Sequence, residues 1–319
     1  MLSYSEYEKS LRALFGSYRK ARFAAQDHIF EARPADDVVV FKKEAAVANV
    51  LLPPFANEKQ QEQIRTAIPE RERHRYFASM KSSQALAQSV FGTIQAFHLQ
   101  PLLLNTVAED GNLAFGSKFA EAEMILEKSV TALAEPRPTS VDVWLESSYR
   151  VAVECKLTEQ EFGTCSRPRL SVESSDYCDG SYTYQLDRPV RCSLTHVGVR
   201  YWDYLEEVFG WSPEEDRLLC PLSSTYQLVR NILAACVTDD GRLDLESGHA
   251  LVLYDRRNPC MQSNGKADDQ WQATVSALRE TRLLRRLSWQ SFLGQWPEEL
   301  ILDWLKGELA AKYGIEAES

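Results

Sequence analysis

The sequence predicts an α/β protein, in which a mixed sheet flanked by helices follows a mainly helical N-terminal portion. In residues 3–32, apolar side chains recur at three- and four-residue steps, which is typical of an amphipathic helix. Residues 139–158 contain two short alternating stretches rich in β-branched and aromatic residues, which indicates a hairpin. Residues 249–255 form a near-continuous apolar run, the pattern of a buried strand. We therefore divide the chain into a helical portion, 1–100, and a core with C-terminal helices, 101–319.

The composition is that of an ordinary globular protein. The 319 residues are 44% hydrophobic and 26% charged, and the formal net charge is −10. An acidic chain of this kind is not expected to coat nucleic acid non-specifically, although a local basic patch remains compatible with it. Because no run of about eighteen apolar residues occurs, we expect no membrane association.

The seven cysteines suggest a reduced, cytoplasmic protein, because their number is odd, no CxxC pair occurs and no secretory signal precedes them. Cys165, Cys178 and Cys192 are spaced 13 and 14 residues apart. This spacing matches no common zinc or iron–sulfur pattern. We interpret these residues as loop and core thiols.

The N-terminal portion is predicted to contain helices over 3–32 and from Lys81 to Phe91, with Ser82 or Ser83 as the N-cap of the second and Gly92 as its stop. Residues 38–41 are expected to form a short strand or packed loop. The charged stretch 58–75 indicates a solvated helix followed by a connector.

The second portion changes period after about residue 115. Residues 119–127 fit a helix and a strand equally poorly, so their state stays open. After the hairpin, residues 159–196 have the composition of a long loop, a feature that is more often functional than idle. The remaining predicted elements are helices over 201–209 and 223–237, the strand at 249–255, and closing helices over 268–289 and 297–313, the first of which would expose Arg279 to Arg286.

Strand parity decides which hairpin side chains meet, because side chains alternate faces along a strand. If Glu146 pairs with Arg150 across a three-residue loop, Asp142 lies opposite Glu154. A two-residue loop would instead put the two carboxylates on different faces. Lys156 shares the face of Glu154. The sequence therefore predicts an acidic cluster with one amine, on the condition that the turn has an odd number of residues.

Such a cluster suits metal-assisted hydrolysis of a phosphodiester. Two like charges at cross-strand distance repel unless a cation lies between them. Mg²⁺ or Mn²⁺ prefers oxygen ligands, which Asp142, Glu154 and the carbonyl of Cys155 would supply. Lys156 would activate the attacking water or neutralise charge in the transition state.

These residues resemble the PD-(D/E)XK nuclease superfamily, with Asp142 at the acidic position and Glu154-Cys-Lys156 as the ExK element. The order of elements over 115–260 is similar to that superfamily's αβββαβ core, although Val141 rather than proline precedes Asp142. A closer resemblance is to a bacterial group of predicted restriction endonucleases, carried by Ser82-Ser-Gln-Ala85, Phe91-Gly92, Cys165-Ser-Arg-Pro-Arg169 and Tyr226-Gln-Leu-Val-Arg-Asn231.

The resemblance implies two further site residues. An upstream glutamate often joins the metal in this superfamily, and Glu121, Glu123 and Glu127 are the candidates here, of which we favour Glu123. The helix after the ExK strand often carries a glutamine beside a tyrosine, which implies a catalytic role for Gln227.

DNA is the expected substrate, so basic and stacking residues should lie near the acidic site. We expect DNA contacts from Arg167, Arg169, Arg188 and Tyr182 in the long loop. A second cluster, Arg71, Arg73, His74, Arg75 and Tyr76, precedes the Ser82 helix and could also track phosphates. A homodimer is compatible with this function, because many enzymes that cut both strands act as dimers.

Two other functions remain open. A catalytically inactive nuclease-like module for DNA binding or assembly would keep the fold without the chemistry. Glycoside hydrolysis by Asp142 and Glu154 is disfavoured, because it gives Lys156 no role and the cross-strand distance is short for an inverting pair.

Overall fold

The chain folds around one mixed sheet. The computed structural model describes residues 2–32, 39–116, 122–185 and 188–318. Within these residues the sheet has five strands in the order β1-β2-β3-β4-β5. β1, β2 and β3 are antiparallel neighbours, whereas β4 and β5 run parallel to β3. The strands are β1 Glu123–Val130, β2 Thr139–Glu146, β3 Arg150–Lys156, β4 Gly248–Tyr254 and β5 Leu284–Ser288.

Helices cover both faces of this sheet, confirming the predicted fold class. They are α1 Tyr4–Arg22, α2 Glu58–Thr66, α3 Ser83–Ala96, α4 Ser193–His196, α5 Leu205–Phe209, α6 Leu222–Cys236, α7 Lys266–Ala277, α8 Trp289–Gly294 and α9 Leu300–Tyr313. α6 packs on β3 and β4, and α3 packs on β1, β2 and β3. β3 is buried along its whole length because it lies at the centre of the sheet.

The alternation along β3 divides the interior into two cores. Val151 and Val153 belong to a core that also contains Tyr7 of α1 and Phe91 of α3. Ala152 belongs to the opposite core, with α6. The N-terminal helices thus share one apolar core with the sheet, and burial of this apolar surface fixes where the ends of β2 and β3 lie.

Several predicted elements have different bounds in the structure. α1 ends at Arg22 rather than near residue 32. Ser82 caps α3 as predicted, but the helix continues through Gly92 to Ala96. Gly92 does not end it because the following turn is buried, and this tertiary packing outweighs the low helix propensity of one glycine. The undecided segment becomes β1 from Glu123 onward, and its start at 119–121 lies outside the described residues, as does Val38 of the short run at 38–41.

The predicted helix over 268–289 is wrong in its second half. α7 ends at Ala277, and residues 284–288 form the edge strand β5. Pairing with β4 overrides the helical pattern here. Arg285 is buried, and Arg286 forms ion pairs with Glu109 and Asp268, so these arginines do not form a solvated helix face. In the part of the chain that is described, no helix is long and apolar enough to cross a membrane.

Candidate active site

The register of the central hairpin brings two acidic residues together. Glu146 pairs with Arg150 and Val143 with Val153, so the turn contains three residues, Ser147 to Tyr149. Continuing this antiparallel register by one residue places Asp142 opposite Glu154. The odd turn that the sequence argument required is therefore confirmed. Both carboxylates line one cleft, at the ends of β2 and β3 that lie away from the turn.

Amides and an amine hold Glu154 in place. Gln227 Nε2 donates to Glu154 Oε1 at 2.8 Å, and Asn231 Nδ2 donates to Oε2 at 2.9 Å. Lys156 Nζ lies 2.9 Å from Oε1. Burial acts to raise the pKa of Glu154, but Lys156 and Arg230 with the hydrogen bonds outweigh it, so this pKa is lowered. Glu154 is therefore ionised and oriented, as a ligand or an electrostatic group must be.

Gln227 connects this carboxylate to the amine. Its Oε1 accepts hydrogen bonds from Lys156 Nζ at 3.0 Å and from the backbone N–H of Gly163 at 2.8 Å. Gln227, for which the resemblance implied a catalytic role, therefore contacts both Glu154 and Lys156. Because α6 carries both Gln227 and Asn231 one turn apart, the packing of α6 on β3 aims both amides at Glu154.

The Asp142 carboxyl group is buried beside two other acidic side chains, which changes its pKa. Its Oδ2 accepts a hydrogen bond from the backbone N–H of Cys155 at 2.7 Å. Burial, followed by the charges of Glu154 and Glu127, nevertheless raises the pKa of Asp142 well above its ordinary value. A cation placed among these oxygens would remove the repulsion and favour the ionised form.

Glu127, and not Glu123, joins this acidic row. Leu126 pairs with Val143 and Lys128 with Val141, so Glu127 falls opposite Asp142. Burial raises the pKa of Glu127 to about 7, and Glu154 acts in the same direction. Glu127 also lines the cleft.

The choice of Glu123 is therefore corrected by its position. Glu123 is exposed and pairs with Glu146 at the turn end of the hairpin, about 13 Å along β1 from Glu127 at the usual rise of a strand. Glu121, the third candidate, lies outside the described residues.

Lys156 is buried, yet its pKa is raised. Burial acts to lower the pKa of its ammonium, but Glu154, Glu159 and Asp142 together outweigh burial. Trp289 Nε1 donates to the carbonyl of Lys156 at 3.1 Å and fixes the backbone there. Lys156 is therefore a fixed positive charge at neutral pH, which suits charge neutralisation in a transition state better than proton abstraction.

The acidic row opens into a cleft of about 1080 Å³. The cleft is also lined by His74, Arg75, Tyr76 and Lys81. The Tyr76 side chain is 55% exposed, and the Arg75 guanidinium lies 4.5 Å from its ring centroid. Part of the second basic cluster identified in the sequence thus shares this cleft with the carboxylates.

The four residues expected to bind DNA lie elsewhere. The Tyr182 ring is buried and stacks on Trp202 at a centroid distance of 3.5 Å, so it packs the interior. The Arg188 side chain is buried and donates to the carbonyl of Tyr177. Arg167 pairs with Asp176, and Arg169 is exposed. None of the four is among the described residues that line the cleft.

The donor set suits a hard divalent cation. Asp142, Glu154 and Glu127 offer carboxylate oxygens, which Mg²⁺ and Mn²⁺ prefer, and their mutual repulsion favours a bound cation. Across the described ranges, no group of three or more His, Cys, Asp or Glu is arranged to hold an ion as it stands. Glu154 already contacts Lys156, Gln227 and Asn231, so cation binding would compete with these contacts.

Three residues of the site were not assigned by sequence reasoning. Asn231 could have been found from its spacing, because i and i+4 positions share one helix face and Gln227 was already a candidate. Ser83 and Glu159 lie at the cleft, where Ser83 Oγ donates to Glu159 Oε1 at 2.6 Å. No sequence pattern marks that contact, because it joins segments 76 residues apart.

Comparison with known proteins returned one family. A family model described as "Restriction Endonuclease associating with ARP" matches residues 18–314, which include the whole sheet and the cleft. Neither the curated proteins nor the solved structures gave a match.

Proposed function

We propose that this chain, which belongs to the family of restriction endonucleases associating with ARP, is a metal-dependent endonuclease that hydrolyses phosphodiester bonds in DNA. The row of Glu127, Asp142 and Glu154 beside Lys156 carries the proposal. Three carboxylates on adjacent strands are unfavourable in a merely structural role, because burial and mutual repulsion oppose their ionisation. A restriction-endonuclease family makes nuclease chemistry the natural use of the row.

In the proposed mechanism Asp142, Glu154 and the carbonyl of Cys155 would hold Mg²⁺ or Mn²⁺, with Glu127 in place of the predicted Glu123. When bound, such an ion would lower the pKa of water and offset negative charge on the phosphate. Lys156 would stabilise charge that develops on the phosphate oxygens. Gln227 would position Glu154 and Lys156 relative to each other through its two hydrogen bonds.

The cleft supplies a route for DNA. Arg75 would contact phosphates, as would Lys81 on leaving its ion pair with Glu8. The exposed Tyr76 would stack against a base or sugar. We therefore move the proposed DNA-binding surface from the long loop to this cleft. The family description also names an association with a partner designated ARP, which we include in the proposal. A homodimer and a cytoplasmic location stay expectations from the sequence.

The test is DNA cleavage with Mg²⁺ or Mn²⁺ by the wild type and by Asp142→Asn, Glu154→Gln and Lys156→Ala. We expect each variant to lose activity by about 10²-fold or more. Glu146→Gln is the matched control, because Glu146 lies on the same hairpin at the turn end and bonds to Trp144 Nε1. Circular dichroism would verify that the variants fold.

Two results would contradict the proposal. Cleavage that survives in Asp142→Asn and Lys156→Ala would exclude the proposed mechanism. DNA binding by the wild type without cleavage, and without calorimetric binding of Mg²⁺ or Mn²⁺, would favour the inactive module for DNA binding or assembly.

A further inference from the structure

Four of the seven cysteines line one small pocket away from the cleft. Cys165, Cys178, Cys192 and Cys220 all belong to the long segment between β3 and α6, and all are free thiols. Cys155, Cys236 and Cys260 lie in β3, α6 and a short turn of helix. The sequence spacing gave no reason to group the four, because they are 13, 14 and 28 residues apart. The folded chain therefore assembles a set of thiols that no local motif describes.

Backbone contacts fix three loop segments around this pocket. The N–H of Cys220 donates to the carbonyl of Gly180 at 2.8 Å, and the N–H of Cys165 donates to the carbonyl of Ser223 at 3.3 Å. Cys192 lies close enough to Cys165, Cys178 and Cys220 to raise the pKa of each thiol. The convergence of the thiols thus follows from defined backbone positions.

The sulfur atoms are placed to accept hydrogen bonds. The backbone N–H of Gly180 donates to Cys178 Sγ at 3.4 Å. The backbone N–H of Arg167 donates to the sulfur of Cys165, and the backbone N–H of Leu222 donates to the sulfur of Cys220. Each donor lies two residues after its cysteine. Backbone N–H donors of this kind stabilise thiolates that ligate a metal and tune iron–sulfur centres.

Positive charge lies beside the thiols. The charge of Arg167 lies close enough to Cys165 to act against the rise in its pKa, and the charge of Arg188 does the same for Cys178. The Arg188 side chain is only 6% exposed, and within the described residues its Nε and Nη2 atoms have no hydrogen-bond partner. A buried guanidinium with unused donors is costly unless an anion lies nearby. Asp179 lies close enough to Arg188 to supply one negative charge, and a metal centre with four thiolates would supply more.

The spacing of the thiols fits a cluster better than a single ion. A zinc ion holds four sulfurs at about 2.3 Å, which requires them to lie within about 4 Å of one another. Considering only the residues that the structure describes, no three potential ligands are close enough to share one ion in this way. The four cysteines instead line one pocket with a cavity volume of about 20 Å³, and a cluster that takes one thiolate on each iron fits their wider spacing.

We propose that Cys165, Cys178, Cys192 and Cys220 bind an iron–sulfur cluster. The thiols lose their protons when iron binds. The cluster stabilises a segment that, where described between 157 and 221, contains only short helices and one isolated β-bridge, between Tyr182 and Arg217. Loops of this length in a compact protein are uncommon and are often functional.

The cluster also lies where it can position the proposed active site. Cys220 is two residues before α6, which carries Gln227 and Asn231. Cys165 is two residues after Gly163, whose backbone N–H donates to Gln227 and whose carbonyl accepts from the Gln227 N–H. The four cysteines are positioning residues, because none of them contacts the acidic row.

The experiment is anaerobic purification of the full chain, followed by measurement of iron, acid-labile sulfide and zinc. We expect about four irons and four sulfides per chain, with visible absorption that bleaches on reduction. Cys192→Ala and Cys220→Ala should lose the iron and the absorption. Cys236→Ala and Cys260→Ala are matched controls from outside the pocket and should retain both.

Limited proteolysis provides a second measurement that does not depend on the variants folding. Removing iron from the wild type with a chelator should make the segment 166–219 more susceptible to cleavage than β3 or α6. A wild type that contains no iron and sulfide, even after incubation with ferrous iron and sulfide, would overturn the proposal. So would one zinc per chain, or Cys192→Ala and Cys220→Ala variants that retain the cluster of the wild type.

Discussion

Glu127 lies opposite Asp142 in the β1–β2 ladder, although the Glu127 backbone has a positive φ of 54°. A non-glycine residue with this backbone conformation is uncommon and costs energy, and such residues cluster at functional sites. The register of the ladder is unchanged on either side of Glu127, so pairing holds the strained residue in place. The structure thus tolerates strain at the position where a third carboxylate joins the acidic row.

Glu127→Gln should reduce metal-dependent cleavage by about 10- to 100-fold, because it removes one charged oxygen donor from the row and keeps the side-chain size. Cleavage assays at several Mg²⁺ concentrations would measure this, and the loss should be smaller at high Mg²⁺. Glu123→Gln is the control on the same strand and should cleave like the wild type. Equal losses in both variants would contradict the assignment of Glu127.

Glu127→Gly should separate stability from activity. Glycine adopts positive φ without penalty, so the variant should gain up to about 1 kcal/mol in the free energy of unfolding. It should also lose cleavage to the same extent as Glu127→Gln. Chemical denaturation alongside the cleavage assay would show whether the two properties move in opposite directions.

Arg75→Ala should weaken DNA binding with little dependence on sequence, because Arg75 lies on the cleft wall and would contact a phosphate. The logarithmic slope of affinity against salt concentration should fall by about 0.9 for one lost phosphate contact. Binding titrations at several salt concentrations would measure it, using a catalytically inactive background. Arg242→Ala, which removes an exposed arginine paired with Asp240, should leave the slope unchanged.

Asp255→Ala should destabilise the fold by about 3–5 kcal/mol, because it leaves a partly buried Arg257 without its partner. The Asp255 carboxylate is fully buried and accepts hydrogen bonds from Tyr7 Oη, Arg257 and Gln290 Nε2, which join α1 to the end of β4. Thermal unfolding would measure the loss. Asp303→Ala, at an exposed position of α9, should behave like the wild type.

Lys312 should make stability depend on pH. Burial lowers the pKa of Lys312 to about 7, and its Nζ donates to Asn49 Oδ1 at 2.8 Å. Between pH 7 and about 10.4, the unfolded chain holds a proton at this site that the folded chain has lost. Stability that depends on Lys312 therefore rises with pH across this window.

Comparison with Lys312→Met isolates this effect from other titrating groups. The free energy of unfolding of the wild type, relative to the variant, should increase as the pH rises from about 7 to about 10. Denaturation at three pH values in this range would measure it. A difference between the two proteins that stays constant with pH would show that Lys312 keeps an ordinary pKa in the folded state.

Parts of the candidate site followed from local rules. Strand alternation predicted that Asp142 and Glu154 share a face if the turn is odd, and the resemblance to a nuclease superfamily singled out Gln227. The choice between Glu123 and Glu127 could not be made in this way. It required the register of β1 against β2, which is set by which side chains the two cores bury.

Global packing overruled the sequence pattern in other places. Tyr182 and Arg188 looked like loop residues available to DNA, but tertiary contacts bury them. Residues 284–288 carry a helical pattern, yet β4 offers an unsatisfied edge and the segment pairs with it as β5.

By itself the sequence determined the fold class, the hairpin and the turn parity that brings Asp142 and Glu154 together, because alternation and helix periodicity act over a few neighbouring residues. Only the tertiary structure decided which glutamate completes the acidic row, which basic residues share its cleft, and that four distant cysteines surround one pocket. Those relationships depend on contacts between segments far apart in the chain, and burial of the shared apolar cores selects them.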